Sequence, residues 1–440
     1  MPPQIGNTTA IDSSAAAPAG AALSRTFRAL RHRNYRLFFA GQSISQTGTW
    51  MQTIAQAWLV LELTNSKAAL GTVTMLQFLP ITIFVLVAGV VVDRVPKHRF
   101  LIVTQSLAAA QAAALALLVW TGQVRLWHVY GLAFVLGLAN AFDQPTRQSF
   151  VVEMVGKDDL PNAIALNSGM FNAARLLGPA VGGFVIATIG VRGAFLANAV
   201  SFLPVIAALL LIDPSQLRSP PRAASSSRAH PLREVTEGLR YALATPSALL
   251  VVLMLAFIGT FGYNFSVVLP LVDRYVLHRG SVGLGLMTAS VGAGALLAAA
   301  ALAAQRRASL RTMLAGAGAF GLALAGVGVS RWFPVTVALL VLVGAAGTFF
   351  TATANTTLQL SAPDELRGRV MSLYMLLFAG STPVGGYLTG RLAQHLGVPE
   401  TVILEGSLCL AGFALGVAYY TSHRAHFGIT ASEAPAPRSP

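Results

Sequence analysis

The sequence predicts an all-α polytopic membrane protein, with twelve transmembrane helices arranged as two pseudo-repeats of six. Charge is scarce: 10% of the 440 residues are charged and the mean hydropathy is +0.65, whereas soluble domains carry about 25% charged residues. A membrane helix needs about 20 mostly apolar residues, and only helices satisfy their own backbone in such lipid-exposed segments. Twelve blocks of this kind cover approximately residues 35–61, 68–92, 99–121, 126–147, 161–188, 192–212, 246–271, 281–304, 309–330, 334–359, 367–395 and 399–420.

The basic residues predict the orientation of these spans. Of the 30 Lys and Arg residues, 22 lie on the side of the N-terminus and seven lie in loops on the other side. The positive-inside rule then puts both termini in the cytoplasm, which for a bacterial cell means a multi-pass protein of the inner membrane. The net charge of +14 reflects this topology and attraction to anionic lipid head groups, so no nucleic-acid partner is expected.

One long connection divides the chain. We predict a disordered basic N-terminal tail (1–34), a six-helix half (35–212), a cytoplasmic linker rich in Pro, Ser and Arg (213–245), a second six-helix half (246–420) and a cytoplasmic tail (421–440). The segments "DDLPNAIAL" (158–166) and "DELRGRVMSL" (364–373) enter spans at corresponding places in the two halves. Such repeats are typical of secondary transporters, whose substrate site lies between them, although similar small-residue packing in both halves would give the same likeness.

The loop after span 2 reads "GVVVDRVPKHR". Glycine permits close approach in a tight loop, and a carboxylate there pairs with an arginine or caps the positive end of a helix. The segment resembles the loop 2–3 signature of the major facilitator superfamily, which implies that Asp93 docks near Arg367 and Arg369 and holds an inner gate shut. A loop that only sets topology is the alternative. The matching residues are Gly89, Asp93, Arg94, Lys97 and Arg99.

Span 5 contains "ARLLGPAVGG", which resembles the antiporter motif of the same superfamily and implies export. Its glycines are four residues apart, so another helix can approach one bare face, and span 8 offers a similarly small surface. General small-residue packing is the alternative. The matching residues are Gly178, Pro179, Gly182 and Gly183, with Ala174 replacing the leading glycine.

Further segments over residues 25–420 resemble the twelve-helix drug:proton antiporters that are similar to the enterobactin exporter and the macrolide-efflux proteins. These segments include "RNYRLFFAGQSIS", "DQPTRQSFVVEMV" and "LPNAIALNS". Span 4 lacks the arginine that many such antiporters carry there, so the resemblance leaves the coupling to protons open.

Span 1 carries four glutamines within "GQSISQTGTWMQTIAQAW". Projected at about 100° per residue, their side chains fall within about 120° of one helix face, and lipid cannot satisfy them. One or two amides would suffice for interhelical hydrogen bonds, so a stripe about four turns long favours the wall of a cavity. Span 10 has a similar stripe that begins at Thr348, and nearby aromatic residues suit a bulky, partly apolar substrate. The predicted cavity residues are Gln42, Gln46, Thr49, Trp50, Gln52, Thr53, Gln56, Phe78, Phe261, Tyr263, Asn264, Phe265, Thr351, Asn355 and Gln359.

Four ionisable residues in the spans are candidates for proton coupling: Asp143, Arg175, Glu405 and Glu62. Charged residues within a span are functional by default. Asp143 is the first candidate, because span 4 ends near the cavity and faces cytoplasmic water, where proton or substrate binding could switch Asp143 between Arg147 and Arg175. The alternative is a structural i,i+4 pair with Arg147, and an interfacial or structural ion pair is equally compatible with Glu62 and Glu405.

These features predict a secondary active exporter of bulky amphipathic small molecules such as a drug, a siderophore or another secreted metabolite, working by proton antiport and alternating access. An importer or facilitator of the same fold, or a membrane sensor or scaffold that does not transport, are the alternatives. The chain has no G-x-x-x-x-G-K-[ST] phosphate loop, and its eight histidines are scattered, so no enzymatic activity, cofactor or metal is expected. The expected partners are the small-molecule substrate, protons and the lipid bilayer, and we expect a monomer.

Overall fold

The computed structural model of the chain describes residues 27–218, 231–304 and 309–423. Within these ranges the chain is helical, and we number the α-helices in chain order. They are α1 (Arg33–Thr64), α2 (Lys67–Arg94), α3 (Lys97–Trp120), α4 (Leu126–Val155), α5 (Leu160–Ile189), α6 (Val191–Leu210), α7 (Pro231–Ala244), α8 (Pro246–Gly262), α9 (Phe265–Val272), α10 (Gly280–Ala304), α11 (Leu310–Val329), α12 (Phe333–Ser361), α13 (Asp364–Phe378), α14 (Thr382–Leu396) and α15 (Val398–Ser422).

Nine helical segments of the described chain are long and apolar enough to cross a membrane. The all-α polytopic prediction is therefore confirmed. The predicted spans 1 and 4 coincide with α1 and α4, which fall outside this set because they carry many polar side chains, and span 11 is divided between the shorter helices α13 and α14. The count of twelve spans stays a prediction.

The helices pack in two groups. In the first, α1 packs on α5 and α6, α2 packs on α4, and α3 lies between α4 and α6. In the second, α12 packs on α10 and α11, and α15 lies between α8 and α11. The two most extensive contacts between the groups are those of α5 with α10 and of α2 with α14. The predicted half boundaries at 35–212 and 246–420 stay a prediction.

Small residues lie at the centre of both of these contacts. A Cβ added to Gly183 on α5 would lie 2.4 Å from the Ser281 carbonyl oxygen, and the Ser281 hydroxyl donates to the Gly183 carbonyl at 2.9 Å. A Cβ added to Gly71 on α2 would lie 2.7 Å from the Gly386 carbonyl oxygen and 3.0 Å from the Gly390 Cα. Backbone therefore lies directly against backbone in each contact.

The antiporter-like glycines divide their contacts between two neighbours. A Cβ on Gly178 would lie 2.5 Å from the Trp50 Cβ, and one on Gly182 would lie 3.0 Å from Met51, so these two glycines approach α1. Gly183 is the residue that approaches α10, as described above. The predicted contact between spans 5 and 8 is present, but it uses the neighbouring face of α5.

Hydrogen bonds join the two groups at the end that the sequence predicts to be extracellular. Lys67 begins α2 and donates from Nζ to the Ala393 carbonyl at 3.1 Å, and its backbone N–H donates to Gln394 at 3.1 Å. The Tyr275 hydroxyl donates to the Asn65 carbonyl at 2.9 Å. The groups are thus in contact at this end of the bundle.

The linker contributes a helix to the second group. Within the predicted linker 213–245, residues 219–230 lie outside the described residues, and α7 packs on α13. Glu237 and Arg369 form an ion pair of 2.5 Å, and the Tyr241 hydroxyl donates to the Ser361 carbonyl. Helix α7 is therefore attached to the ends of α12 and α13 that the sequence predicts to be cytoplasmic.

Residues 28–34 also take part in the fold, where the sequence predicted a tail. Arg28 and Arg31 form ion pairs with Asp159, and the His32 Nε2 lies 2.7 Å from the same carboxylate. The hydrogen bond with His32, followed by the contacts with Arg28 and Arg31, holds the pKa of Asp159 below its usual range. The segment before α1 is thereby fixed to the loop between α4 and α5.

Candidate functional site

The stripe on α1 lies along a cavity of about 470 Å³ between the two groups of helices. The cavity wall includes residues of α1, α2, α4, α5, α9 and α13. Of the predicted cavity residues on the first six spans, those that line it are Gln42, Gln46, Thr49, Trp50, Thr53, Gln56 and Phe78. The amide-rich face of α1 is therefore a cavity wall over most of its length.

Gln52 is the exception, because it lies between helices. It is 1% exposed, it accepts a hydrogen bond from Asn198 at 2.5 Å, and it donates to Gln111 at 3.1 Å. The interhelical alternative thus describes Gln52, whereas the cavity interpretation describes its neighbours. Gln52 lies at the edge of the projected stripe, but the projection alone could not exclude it from the cavity wall. Its partners are on α3 and α6, which the sequence of α1 does not reveal.

Several cavity amides pair with one another. Gln56 donates to Gln77 on α2 at 2.8 Å, and Gln42 lies 3.4 Å from Gln46. The Oε1 atom of Gln42 is buried and, among the described residues, has no hydrogen-bond partner. Gln77 was not among the predicted cavity residues. A single glutamine in an apolar block carries little signal by itself, and its pairing with Gln56 depends on tertiary contact.

An ion pair lies at one end of this wall. Asp143 lies 2.9 Å from Arg147 and also accepts hydrogen bonds from Thr104 at 2.9 Å and Gln105 at 2.7 Å. Arg147 donates in turn to Gln46 at 3.3 Å. The i,i+4 pair considered for Asp143 is thus present, and it is connected to the amide stripe.

Arg175 lines the same cavity and also a second cavity of about 330 Å³. Its guanidinium carbon lies 5.9 Å from the centre of the Trp50 ring. In the part of the chain that the structure describes, no carboxylate pairs with it and its guanidinium donates no hydrogen bond.

The second cavity is lined by the stripe on α12. Thr348, Thr351 and Asn355 contribute to its wall. Gln359 donates to Asn355 at 2.6 Å but lies beyond the wall, towards the end of α12. The predicted stripe is therefore a cavity wall over its first three members.

The predicted aromatic residues of the second half lie at a break between α8 and α9. Tyr263 occupies this break, lines both cavities, and donates to the Gly347 carbonyl at 2.8 Å. Phe265 lines both cavities as well. Phe261 and Asn264 belong to neither wall, and Asn264 is 1% exposed. Successive residues of the break thus point to different environments.

Asn264 lies beside Glu405 of α15. Glu405 is 1% exposed and accepts a hydrogen bond from Thr389. Its Oε2 atom and the Oδ1 atom of Asn264 are both buried acceptors without a partner among the described residues. The Asn264 amide donates a hydrogen bond of 2.8 Å to the Thr260 carbonyl.

Glu62 lies apart from these cavities. It accepts a hydrogen bond of 2.7 Å from the Trp58 indole and lines a separate pocket of about 680 Å³ at the predicted outer face, together with Arg192 and Arg279. The structure does not bring Glu62 to Asp143, Arg175 or Glu405.

The predicted gate segment is largely helical. α2 continues through Gly89 to Arg94, and Lys97 begins α3 and forms a 2.8 Å ion pair with Glu153. The close approach expected at Gly89 is absent here, since a Cβ added there would meet no described atom within 4 Å. The reason is that Gly89 lies inside a helix instead of a tight loop. The Asp93 side chain lies outside what the structure describes, and Arg94 and Arg99 are exposed.

Comparisons with known proteins agree with this architecture. The family described as transmembrane secretion effector matches residues 24–436. The multidrug efflux pump Tap of Mycolicibacterium fortuitum is 28% identical over 84% of this chain and 91% of that protein. The staphyloferrin A transporter of Staphylococcus aureus is 24% identical over 85% and 94%, and macrolide efflux protein A of Streptococcus pyogenes is 22% identical over 87% and 96%.

Solved transporter structures share the fold. A POT family transporter in complex with 5-aminolevulinic acid superposes with a TM-score of 0.71 at 12% identity, covering 89% of this chain and 96% of that chain. A bacterial homologue of the human lysosomal transporter Spinster, inward-facing and occupied, gives a TM-score of 0.69 at 13% identity, covering 90% and 98%.

Proposed function

Because the chain belongs to the transmembrane secretion effector family of the major facilitator superfamily, we propose that it is a secondary active exporter of bulky amphipathic small molecules. The observation that carries this proposal is the central cavity, whose wall joins the amides of α1 to the aromatic residues around Tyr263. The related efflux proteins support the outward direction of transport.

The cavity has the size and chemistry for such a substrate. Its volume of about 470 Å³ falls within the range of about 300–1,000 Å³ that is typical of small-molecule sites. Each glutamine offers both donors and an acceptor, so the same wall can satisfy different polar groups. The aromatic side chains add apolar contact area.

Transport would use alternating access. In the described conformation the contacts of α2 with α14 and of α5 with α10 join the groups at the predicted outer end. The cavity would therefore receive substrate from the cytoplasm. In the opposite conformation we expect Asp93, Arg94, Lys97 and Arg99 to contribute to an inner gate.

We assign the transported proton to Glu405. Asp143 has a basic partner and two hydrogen-bond donors, which is the environment of a structural ion pair. Glu405 is buried without a basic partner among the described residues, and such a carboxyl is stable only when it is neutral. A proton on Oε2 would turn this atom into a donor, and the neighbouring Asn264 side chain offers a buried acceptor without a partner among the described residues.

The position of Asn264 would couple this proton to the substrate. Asn264 follows Tyr263 at the helix break, so a displacement of Tyr263 by a substrate also displaces the amide beside Glu405. The binding of substrate and the binding of the proton would then exclude each other in any one conformation. Such mutual exclusion is what antiport requires.

The test uses the purified chain in liposomes with an imposed proton gradient and a panel of amphipathic dyes. We expect accumulation on the extracellular side of the protein, driven by a pH difference and abolished when an ionophore removes that difference. Empty liposomes serve as the control. Accumulation in the opposite direction under the same gradient would support an importer, and equilibration without accumulation would support a facilitator.

A further inference from the structure

We propose that the substrates carry an anionic group, and that Arg175 together with the indole N–H of Trp50 binds it. The inference rests on the proposed transport function and adds the charge of the cargo. Arg175 places a positive charge in the cavity wall, and the described residues supply no counter-charge for it.

The formal charge of the two cavity walls is positive. Their charged members are Asp143, Arg147 and Arg175. Asp143 and Arg147 neutralise each other at 2.9 Å, which leaves one net positive charge, on Arg175. A cavity shaped for cationic substrates would have the opposite sign, because like charges in a low-dielectric site repel strongly.

The local contacts of Arg175 do not replace a counter-ion. An arginine at the centre of a membrane helix costs about 2.5–3.5 kcal/mol on insertion scales, whereas a cation–π contact contributes about 0.5–2 kcal/mol. The Trp50 ring, at 5.9 Å from the guanidinium carbon, therefore offsets part of this cost and leaves the five N–H donors of the guanidinium without acceptors among the described residues.

Trp50 adds a second unsatisfied donor beside the first. Its Nε1 atom is buried and has no hydrogen-bond partner among the described residues. A guanidinium fork and an indole N–H are both donors only, so one group that satisfies both must be an acceptor. A carboxylate matches the planar fork of arginine with two parallel hydrogen bonds.

The surroundings of Arg175 select an organic anion over an inorganic one. Phe171 packs edge-on against Trp50 with ring centres 5.8 Å apart, and Tyr263, Phe265 and Phe378 line both cavities together with Arg175. An anionic group at the junction of the two cavities would have aromatic surface next to it. An amphipathic acid fits this arrangement, with its charged end at Arg175 and its apolar body along the aromatic wall.

The test compares two dyes that share a xanthene core and differ in charge, fluorescein as the anion and rhodamine 123 as the cation. Binding to the full chain in nanodiscs is measured by fluorescence anisotropy at fixed ionic strength. We expect fluorescein to bind at least about tenfold more tightly than rhodamine 123, and Arg175→Gln to remove about tenfold of the fluorescein affinity. Arg175→Lys keeps the positive charge without the planar guanidinium fork. Its affinity for fluorescein should lie between those of the wild type and Arg175→Gln.

Arg192→Gln is the matched control. Arg192 also lies over a tryptophan ring, with its guanidinium carbon 5.7 Å from the centre of Trp120, but it is exposed and lies outside both cavities. Its removal changes the net charge equally and should leave the affinities for both dyes unchanged.

Equal affinities for the two dyes, no binding of either dye, or an Arg175→Gln variant that retains fluorescein binding would overturn the anion assignment. Uphill transport of the same dyes in liposomes separates this assignment from the exporter proposal. Export of rhodamine 123 without fluorescein would leave the exporter proposal intact and contradict the anion site. Arg175-dependent binding of fluorescein without uphill movement of any dye would support the site and contradict the exporter proposal.

Discussion

The carboxylate of Asp143 and the guanidinium of Arg147 lie 2.9 Å apart, one turn from each other on α4. Both side chains are largely buried, and Arg147 also donates to Gln46 at 3.3 Å. The pair therefore connects the polar interior of the first group to the cavity wall. We propose that this pair positions Gln46 and that Glu405 carries the proton.

Asp143→Asn should destabilise the protein, because it leaves Arg147 buried without a counter-charge, a change that costs about 3–5 kcal/mol for buried pairs. Thermal unfolding in detergent measures this loss. The double variant Asp143→Asn with Arg147→Gln should recover most of the stability and should still accumulate substrate uphill. If the double variant exchanges substrate but no longer accumulates it, Asp143 carries the proton after all.

Glu405→Gln should separate coupling from transport. Glutamine has nearly the shape of a protonated glutamate, so its amide can donate to Asn264 and the fold should be retained. We expect downhill exchange of substrate near the wild-type rate, with gradient-driven accumulation lost. The measurement is the ratio of accumulation to exchange in liposomes. Wild-type accumulation in this variant would exclude Glu405 as the proton carrier.

The glutamines of α1 should respond differently to the same change. Gln46→Leu alters the cavity wall and should shift the relative rates for different substrates, with a small effect on stability. Gln52→Leu leaves Asn198 and Gln111 without their partner, which costs about 1–3 kcal/mol for a buried polar group. It should lower the unfolding temperature and leave the substrate profile unchanged. The prediction is wrong if the two variants exchange these outcomes.

Gly183→Val should block the contact of α5 with α10, because even a Cβ would lie 2.4 Å from the Ser281 carbonyl oxygen. Overpacking of this kind costs about 1–3 kcal/mol, and we expect the groups to separate at the outer end and uphill transport to fail. Crosslinking between cysteines introduced at Lys67 and Gln394 would report the separation. Gly169→Ala on the same helix is the control, since a Cβ there meets no described atom within 4 Å.

Asp159→Asn should release the segment before α1. The folded-state pKa of Asp159 is lowered, so its contribution to stability is present above the ordinary carboxyl pKa of about 4 and is lost only as the pH falls through the lowered value. In the wild type we therefore expect slow hydrogen exchange of residues 28–34. Lowering the pH from 8 to 5 should not abolish this protection by protonating Asp159. At each pH the variant should exchange about fivefold faster, from a loss on the order of 1 kcal/mol. Identical exchange in both proteins would contradict this role.

Local periodicity was sufficient to predict much of the cavity. The angular projection of α1 placed Gln42, Gln46 and Gln56 on one face, and all three line the wall. The i,i+4 relation of Asp143 and Arg147 was also predictable, because both partners lie on one helix. These features depend on helical geometry and on nothing more distant in the chain.

The rest depends on contacts between distant segments. Gln52 has its partner Asn198 at a separation of 146 residues, so its exclusion from the wall cannot be read from α1. The contacts of Gly178 with Trp50 and of Gly183 with Ser281 follow from the crossing of α5 with two different helices. A break at Tyr263 and Asn264 was also absent from the prediction, since the apolar block continues through it without a proline or glycine signal at those two positions.

The glycine contacts of α2 with α14 and of α5 with α10 have a mechanical consequence. Interlocking side chains fix the stagger of two helices, because each side chain occupies one gap in the neighbouring surface. At Gly71 with Gly390 and at Gly183 with Gly285, smooth backbone meets smooth backbone. Tilting one group about such a surface requires few side chains to change rotamer, so we expect a low energy barrier between orientations of the two groups along these lines of contact.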